Sequence, residues 1–300
     1  MKDNGFSNIN NEADLDILKR FLFEDLFWDD PTSNSIISNN VSITATIIAK
    51  EAGVFAGSQE ATLLAKIMGV NITKCIRDGE QFSKDTKLLE LKGSAKSILA
   101  LERTLINLIS HMSGIATVTK NIVSRIHSAG LSTKIAATRK TLPGLRKFEK
   151  KAVIVGGGDP HRNNLSSMIL IKDNHIQIVG NIKEALSRAK ANSSFTQKIE
   201  IEVNTEHQAI EAAESGADII MLDNMEPRDI KKTIDKLVKR MDREKIIIEA
   251  SGGITSDNAI RYASTGVDVI SLGSITNSAA PIDMSLELKR NKKVKKSKHN

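Results

Sequence analysis

The chain has 300 residues, of which 40% are apolar, so it can bury the core of one large or two medium domains, which excludes a wholly disordered protein. Its formal charge of +7 arises from residues 289–300, which hold seven of the 43 Lys and Arg residues and no acidic residue. The other 36 basic residues are balanced by 36 acidic ones, so we expect the folded body to be neutral. We expect the basic tail at 289–300 to be solvated and disordered. Transient binding of RNA or an anionic surface is the alternative for that tail.

The N-terminal third predicts a small α+β unit. Residues 13–28 carry apolar side chains at helical spacing and end in the turn-forming DDPTSN, which predicts an amphipathic helix. Residues 41–57 alternate β-branched and small side chains, as strands do, and residues 77–93 predict a hairpin with its bend at an Asp-Gly pair. Residues 96–112 predict a helix, with an apolar face formed by Ile98, Leu101, Leu105, Leu108 and Met112.

After Gly130 the sequence alternates between apolar strands and amphipathic helices. The predicted strands are 134–138, 168–172, 198–203, 218–223, 245–250 and 267–273. Continuous apolar strands separated by helices predict a parallel sheet that is buried on both faces. Six or seven such units fit a closed or nearly closed β/α barrel better than a full eight-unit barrel. An open doubly wound sheet is the alternative, although no G-x-G-x-x-G follows the first strand.

Each predicted strand is followed by polar or glycine residues. These residues are Thr138, Arg139 and Lys140; Lys172, Asp173 and Asn174; Glu202 and Asn204; Asp223 and Asn224; Ser251, Gly252 and Gly253; and Gly273 and Ser274. Because the carboxyl ends of barrel strands open into one mouth, where barrel chemistry is found, we expect these side chains to share a site. Loop solvation alone does not account for six polar ends in register.

The cations and glycines among these residues predict an anionic ligand. The cationic candidates are Arg139, Lys140, His161, Arg162, Lys172 and, as a further candidate, His175. Such crowding is tolerated when a polyanion is bound. The glycine turns after the last two strands can hold a phosphate through backbone N–H groups and a following helix N-terminus, although each alone also fits a tight turn. Hydrogen-bonded loop histidines are the alternative for His161 and His175.

Glu202 and Asp223 are carboxylates at neighbouring strand ends. They are suited to bind Mg²⁺, to accept hydrogen bonds from sugar hydroxyls or to stabilise a developing cation, and salt bridges to the lysines and arginines are the alternative. Zinc is not expected, because no His, Cys or carboxylate spacing repeats a known ligand pattern.

Two mechanisms compete for this set of residues. Lys172 could form a Schiff base, but that requires a lowered pKa, and the flanking Asp173 would raise it. Transfer of a phosphorylated sugar accounts for more of the residues: glycines for its phosphate, carboxylates for hydroxyls and metal, and cations for pyrophosphate and an acidic acceptor.

Cysteine usage and the N-terminal residues predict a cytoplasmic protein. Cys75 is the single cysteine, so no disulfide forms within the chain, and we expect it to be a small core residue rather than a nucleophile. Residues 1–16 contain no apolar signal region, and no apolar stretch approaches the length of a membrane span.

The motifs in the second half resemble those of the quinolinate phosphoribosyltransferase family in order and spacing. The matching stretches are TRKTLPGLRKFEKKAV, GGGDPHRNNLSSMILIKDNHI, IEVN, MLDN, EASGGI and SLGSITNSA. ERTLINLISHMSGIAT and EDLFWDDPTSN resemble the family's preceding helix and N-terminal acidic turn. The likeness spans residues 13–288.

The resemblance implies a two-domain enzyme that uses Mg²⁺. An α/β sandwich at 1–113, completed by 276–288, would precede an open β/α barrel at 114–275. Such enzymes convert quinolinate and 5-phosphoribosyl-1-pyrophosphate to nicotinate mononucleotide, CO₂ and pyrophosphate for NAD synthesis. They are homodimers in which the sandwich of one subunit covers the barrel mouth of the other.

The resemblance also implies a role for each site residue. Arg139, His161 and Arg162 would bind the quinolinate carboxylates, and Arg103 would reach in from the partner subunit. The remaining assignments are Lys140 and Lys172 between quinolinate and pyrophosphate, Glu202 and Asp223 at the ribose hydroxyls and magnesium, and the turns Ser251–Gly252–Gly253 and Gly273–Ser274 at phosphate.

Two rival functions remain. A paralogue with the same barrel could use another acidic acceptor, but a monoacid would leave arginines unpaired. An RNA-binding or scaffold protein would instead use residues 289–300, with salt-sensitive binding and no turnover.

Overall fold

The computed structural model describes residues 5–27, 29–240 and 243–288. The predicted basic tail and Trp28 lie outside these residues. The chain divides into two units by its internal contacts: one runs to Thr117 and resumes at Ala280, and the other comprises Val118–Ala279. None of the described helices combines the length and the apolar character needed to cross a membrane.

Helices and strands alternate irregularly in the first part of the chain. Up to residue 128 they are α1 (Gly5–Asp25), α2 (Pro31–Ile36), β1 (Ser42–Ala49), β2 (Gly53–Val54), α3 (Ser58–Ile67), β3 (Asn71–Cys75), β4 (Gln81–Phe82), β5 (Lys87–Ser94) and α4 (Ala95–Ser128). The predicted helices are confirmed, and α1 begins further upstream than the apolar spacing indicated. At α2, Pro31 is the first helical residue and the Asp30 carboxylate accepts the Ser33 N–H, as expected of an N-cap.

The rest of the chain has the predicted strand-helix rhythm. Its elements are β6 (Lys134–Ala137), α5 (Arg146–Val155), β7 (Ile169–Ile171), α6 (Asp173–Val179), α7 (Ile182–Asn192), β8 (Ile199–Val203), α8 (Glu206–Glu214), β9 (Ile219–Asp223), α9 (Pro227–Arg240), a 3₁₀ turn (Arg243–Lys245), β10 (Ile247–Ser251), α10 (Ala259–Ala263), β11 (Val269–Leu272), α11 (Ser274–Asn277) and β12 (Met284–Leu288).

The N-terminal unit contains an antiparallel sheet in the order β12-β1-β5-β3. Strand β1 lies between β5 and β12, with Ile47 opposite Leu89 on one side and Leu286 on the other. The connection in the predicted hairpin is longer than a tight Asp-Gly bend. Strands β3 and β5 pair, and the residues that connect them include β4. Cys75, at the end of β3, is exposed, so its expected place in the core was wrong.

The second unit contains six parallel strands in the order β6-β11-β10-β9-β8-β7. Consecutive strands β6 and β7 therefore lie at opposite edges of the sheet. The residues between them approach the β6 edge at Asp159, whose N–H donates to the Ile135 carbonyl at 2.7 Å and whose carbonyl accepts the Ala137 N–H at 3.0 Å. The predicted α/β fold with an open barrel is confirmed.

Candidate active site

The carboxyl ends of the six parallel strands surround a pocket of about 480 Å³. Twelve of the residues predicted for the site line it: Thr138, Arg139, Lys140, His161, Arg162, Lys172, Glu202, Asp223, Asn224, Ser251, Gly252 and Gly253. The cations lie in three places: Arg139 and Lys140 follow β6, His161 and Arg162 come before β7, and Lys172 follows β7. The carboxylates lie at the ends of β8 and β9, and a glycine turn follows β10. Cations, carboxylates and glycines therefore occupy successive sectors of one pocket.

Alternation along the strands creates two layers of side chains. Glu200 and Glu202 on β8 are two residues apart, so they point to the same side of the sheet, as do Glu249 and Ser251 on β10. The later residue of each pair lies at the strand end. The earlier residues are deeper, with Glu200 0% and Glu249 2% exposed.

Lys172 forms an ion pair with Glu202 across the adjacent strands β7 and β8. Lys172 Nζ lies 2.5 Å from Glu202 Oε2. Asp173, the neighbour considered from the sequence, instead begins α6 and accepts the Asn174 N–H. A Schiff-base lysine requires apolar or cationic surroundings, so contact with a carboxylate argues against an aldolase-type mechanism.

Asp223 and Glu202 form a pair of neighbouring carboxylates. Burial and then the charge of Glu202 raise the pKa of Asp223, opposed by a hydrogen bond from Asn224 and by the charges of Lys172 and Lys140. Asn224 Nδ2 donates to Asp223 Oδ2 at 2.5 Å. Two carboxylates that repel each other offer the oxygen ligands that a hard divalent cation prefers, so this pair fits Mg²⁺.

Arg139 and Arg162 contribute two guanidinium groups to the pocket. Arg162 is buried, and its pKa is lowered by burial and then by the charge of Arg139. The Arg139 Nε is also buried and has no hydrogen-bond partner among the described residues. Leaving such a donor unpaired costs about 1–3 kcal/mol. The two guanidinium groups therefore indicate a ligand that carries carboxylates or phosphates.

His161, Glu200 and Glu249 form a cluster, of which His161 and Glu249 line the pocket. His161 Nε2 lies 3.1 Å from Glu249 Oε2 and 3.5 Å from Glu200 Oε2. Burial lowers the pKa of His161, but the hydrogen bond to Glu249 and the charges of both glutamates outweigh it, so the net pKa is raised. Burial and then the charge of Glu249 raise the pKa of Glu200. The cluster therefore favours a protonated His161.

Glu200 and Glu249 are site residues that were not predicted from the sequence. The sequence does contain a feature that could have identified them: each is an acidic residue inside an apolar strand, two positions before the polar residue at the strand end. Ligand atoms of the two glutamates and His161 lie within 4.8 Å of one another, a spacing that suits a metal ion, but Lys150 and Arg162 add positive charge to the same cluster. We therefore interpret it as an ion-pair cluster.

Glu249→Gln is expected to destabilise the protein more in mild acid than in alkali. Because the His161 pKa is raised, its ion pair is fully present below the ordinary pKa of 6.5 and is lost as the pH rises through the folded-state value. We expect the free energy of unfolding to fall by about 2 kcal/mol near pH 6 and by less near pH 9, measured by urea denaturation. The control, Glu214→Gln, removes an exposed ion pair with Arg240 and should show no such pH dependence. Equal losses at both pH values would contradict the raised pKa.

The turn after β10 brings Gly252 against Asn224. Gly252 has a φ of +87°, and a Cβ there would lie 2.4 Å from Asn224 Oδ1 and 2.8 Å from the Asn224 backbone nitrogen. Asn224 also has a left-handed backbone, with φ +53°, and its N–H donates to the Ser251 carbonyl at 2.9 Å. Glycine at 252 therefore allows the ends of β9 and β10 to approach next to Asp223.

Gly252→Ala is expected to be more destabilising than Gly253→Ala. Both positions have positive φ, but a Cβ at Gly253 would meet no atom within 4 Å. The extra cost of the close contact with Asn224 should be about 1–3 kcal/mol, measured by urea denaturation of the two variants. Equal destabilisation would show that backbone strain alone accounts for the glycine.

Comparison with known proteins connects this pocket to a family. Residues 115–287 match the family model for the quinolinate phosphoribosyl transferase C-terminal domain, and residues 30–113 match that for its N-terminal domain. The chain belongs to the quinolinate phosphoribosyl transferase family. The resemblance inferred from the motifs is therefore confirmed.

Relatives and solved structures cover most of the chain. The probable nicotinate-nucleotide pyrophosphorylase [carboxylating] of Methanothermobacter thermautotrophicus is 46% identical over 275 residues, which are 92% of this chain and 99% of that relative. The nicotinate-nucleotide pyrophosphorylase [carboxylating] of Rattus norvegicus is 34% identical over 254 residues, with 85% and 84% covered. The structure of the nicotinate-nucleotide pyrophosphorylase from Francisella tularensis has a TM-score of 0.86 and 35% identity, covering 93% of this chain and 97% of that one.

Seven residues suggested by the sequence or the family resemblance do not line the pocket within the described chain: Arg103, Asp173, Asn174, His175, Asn204, Gly273 and Ser274. Arg103 is exposed on α4. His175 is exposed on α6, and its Nδ1 accepts the Lys172 N–H at 2.9 Å, which fits the hydrogen-bonded alternative, although on a helix rather than a loop. The roles proposed for Arg103, Gly273 and Ser274 remain predictions.

Gly273 and the helix after it support Lys140. A Cβ on Gly273 would lie 2.9 Å from Lys140 Cδ, so the absence of a side chain leaves room for the lysine. Thr276 of α11 donates its hydroxyl to the Lys140 carbonyl at 2.7 Å. This turn therefore helps to orient a pocket lysine.

Proposed function

We propose that this member of the family joins quinolinate to 5-phosphoribosyl-1-pyrophosphate, forming nicotinate mononucleotide, CO₂ and pyrophosphate for NAD biosynthesis. The observation that carries the proposal is a single pocket in which Arg139, His161 and Arg162 accompany the carboxylate pair Glu202–Asp223. An acidic acceptor and a sugar that develops positive charge require these two kinds of group together. The names of the relatives support the same reaction.

The acceptor acid binds to the cations. The forked donors of Arg139 and Arg162 fix the orientation of a planar dicarboxylate as well as its charge, and a protonated His161 adds a further positive group. The unpartnered Arg139 Nε is available for such a carboxylate. Lys140 and Lys172 lie between this acid and the pyrophosphate.

The carboxylates act on the ribose. As the bond from the ribose C1 carbon to pyrophosphate breaks, C1 becomes positive, and Glu202 and Asp223 stabilise that charge while accepting hydrogen bonds from the ribose hydroxyls. The pyridine nitrogen then bonds to C1 and becomes cationic. The adjacent carboxylate then leaves as CO₂, the electron pair of the broken C–C bond stays on the ring carbon, where the neighbouring cationic nitrogen stabilises it, and a proton from water bonds to that carbon. The Ser251–Gly253 and Gly273–Ser274 turns hold phosphate in this proposal.

Glu202 and Asp223 would also hold Mg²⁺ in the proposed enzyme, directly or through water or substrate. Their oxygen atoms and the raised pKa of Asp223 are consistent with a site that a divalent cation would stabilise. The ion would supply positive charge to the leaving pyrophosphate. Lys140 and Lys172 provide charge for the same group.

We further propose a homodimer in the cytoplasm, in which Arg103 of each subunit completes the site of the other. The exposure of Arg103 on α4 leaves its guanidinium accessible to a partner. Family resemblance is the other support for this arrangement.

The test is turnover by the purified protein. Quinolinate and phosphoribosyl pyrophosphate are expected to yield CO₂ and nicotinate mononucleotide in the presence of Mg²⁺, and chelation of Mg²⁺ should stop the reaction. Nicotinate is the control acceptor, because a monoacid leaves a guanidinium unpaired, and we expect its kcat/KM to be lower by at least about a hundredfold. Equal use of nicotinate, or no product from folded dimeric protein, would overturn the proposal.

A further inference from the structure

Lys150 on α5 is a buried lysine that does not line the pocket. The residue is 3% exposed. Its Nζ donates to the Ala137 carbonyl at 2.8 Å and to the Pro160 carbonyl. A lysine enclosed in this way holds two main-chain segments together, since each of its ammonium hydrogen bonds ends on a backbone carbonyl.

The two carbonyls belong to the segments that carry the cations of the pocket. Ala137 is the last residue of β6, two residues before Arg139, and Pro160 immediately precedes His161 and Arg162. Between the two segments, Asp159 forms backbone hydrogen bonds with β6, and its carboxylate accepts the His161 N–H at 2.7 Å. Lys150 therefore supplies a side-chain link where these segments meet.

Other residues of α5 contact the same two segments. Arg146 Nε donates to Thr141 Oγ1 at 2.9 Å, and its Nη1 donates to the Asn163 carbonyl at 3.4 Å. The Glu149 carboxylate accepts the Leu142 N–H. One helix thus contacts the chain that follows Arg139 and the chain that follows Arg162.

The charge of Lys150 is costly at this position. Burial and then the charge of Arg146 lower its pKa to about 8, with Arg139 and Arg162 acting in the same direction and Asp159 opposing them. A buried lysine among three arginines does not stabilise its surroundings by charge, so its contribution lies in the hydrogen bonds that it donates.

We propose that Lys150 is a positioning residue that sets the separation of Arg139 and Arg162 and thereby the affinity for the dicarboxylate acceptor. This inference rests on the proposed function, because it assigns these two arginines to the acceptor. The pyrophosphate-bearing substrate is held in the proposal by Glu202, Asp223, Lys172 and the glycine turns, to which Lys150 donates no hydrogen bond, and by Lys140. Lys140 follows Arg139 directly, but its carbonyl is held separately by the Thr276 hydroxyl at 2.7 Å. The effect should therefore be selective for one substrate.

The experiment compares the Michaelis constants of both substrates in the full-length Lys150→Met variant, which preserves side-chain length but has no donor. We expect KM for quinolinate to rise by about tenfold or more and KM for phosphoribosyl pyrophosphate to change by less than about twofold. Lys150→Gln retains a neutral N–H donor on a shorter side chain and should fall between wild type and Lys150→Met. Lys190→Met is the matched control, because Lys190 also donates to a carbonyl, that of Ser215, and lies outside the pocket.

Several outcomes would overturn the inference. They are an unchanged KM for quinolinate, an equal rise in both constants, or a Lys150→Met protein that does not fold, which would assign Lys150 a general structural role. Calorimetric titration of wild type and variant with quinolinate keeps this result separate from the proposed function. Wild-type turnover decides the function, and the ratio of the two quinolinate affinities decides the role of Lys150.

Discussion

Glu202→Gln is expected to lower kcat by about a thousandfold in a protein that remains folded. The amide keeps the shape of the side chain but removes the negative charge that faces the ribose in the proposed transition state. It also breaks the ion pair with Lys172, so the lysine no longer has its carboxylate partner. Initial rates at saturating quinolinate, phosphoribosyl pyrophosphate and Mg²⁺ measure the effect.

The matched control for this variant is Glu184→Gln. Glu184 pairs with Arg188 at 2.6 Å on α7, so this substitution also removes one carboxylate from one ion pair, but outside the pocket. It should leave kcat unchanged. If Glu202→Gln retained most of its kcat, or lost it through unfolding detected by circular dichroism, the proposed role of Glu202 would be wrong.

Arg103→Ala is expected to lower kcat/KM by at least about a hundredfold, and activity should return when it is mixed with an inactive Lys140→Ala protein. The reason is the proposed shared site, in which Arg103 comes from one subunit and Lys140 from the other. After random subunit exchange, half of the dimers contain one chain of each kind, and one of their two sites is intact. About a quarter of wild-type activity should therefore return.

The control for this mixing experiment combines two variants of the same sector, Lys140→Ala and Lys172→Ala. In the proposed arrangement both lysines belong to one subunit's pocket, so every site in a mixed dimer lacks at least one of them and no activity should return. Subunit exchange is followed with affinity-tagged chains. Exchange without recovery in the Arg103→Ala mixture would refute the shared site.

The parallel strands were predictable because each is a short apolar run that ends in polar residues. The same rule placed Arg139, Lys172, Glu202 and Asp223 near one another, since parallel strands share their carboxyl edge. Glu200 and Glu249 were not found because the prediction considered only the polar residues at the end of each strand, and these two glutamates lie inside their strands. Alternation from Glu202 back to Glu200 would have found one of them, as both lie on the same face of β8.

Other features depend on tertiary contacts that local patterns do not contain. Lys150 belongs to a basic stretch of the sequence, and nothing in that stretch distinguishes a buried lysine from its neighbours. Gly273 has an ordinary φ of −74°, so its importance comes from the side chain of Lys140, which is distant in sequence. Cys75 was misplaced because single thiols are usually buried, whereas β3 is an edge strand of its sheet.

The strand order has a consequence for how the protein is made. In the antiparallel sheet β1 pairs with β12, and in the parallel sheet β6 pairs with β11, so each sheet joins an early strand to one of the last in the chain. A ribosome that has synthesised only the first 260 residues has produced neither partner. Both sheets therefore stay incomplete until residues 269–288 have been synthesised, and loss of those residues would leave β1 and β6 each without one neighbouring strand.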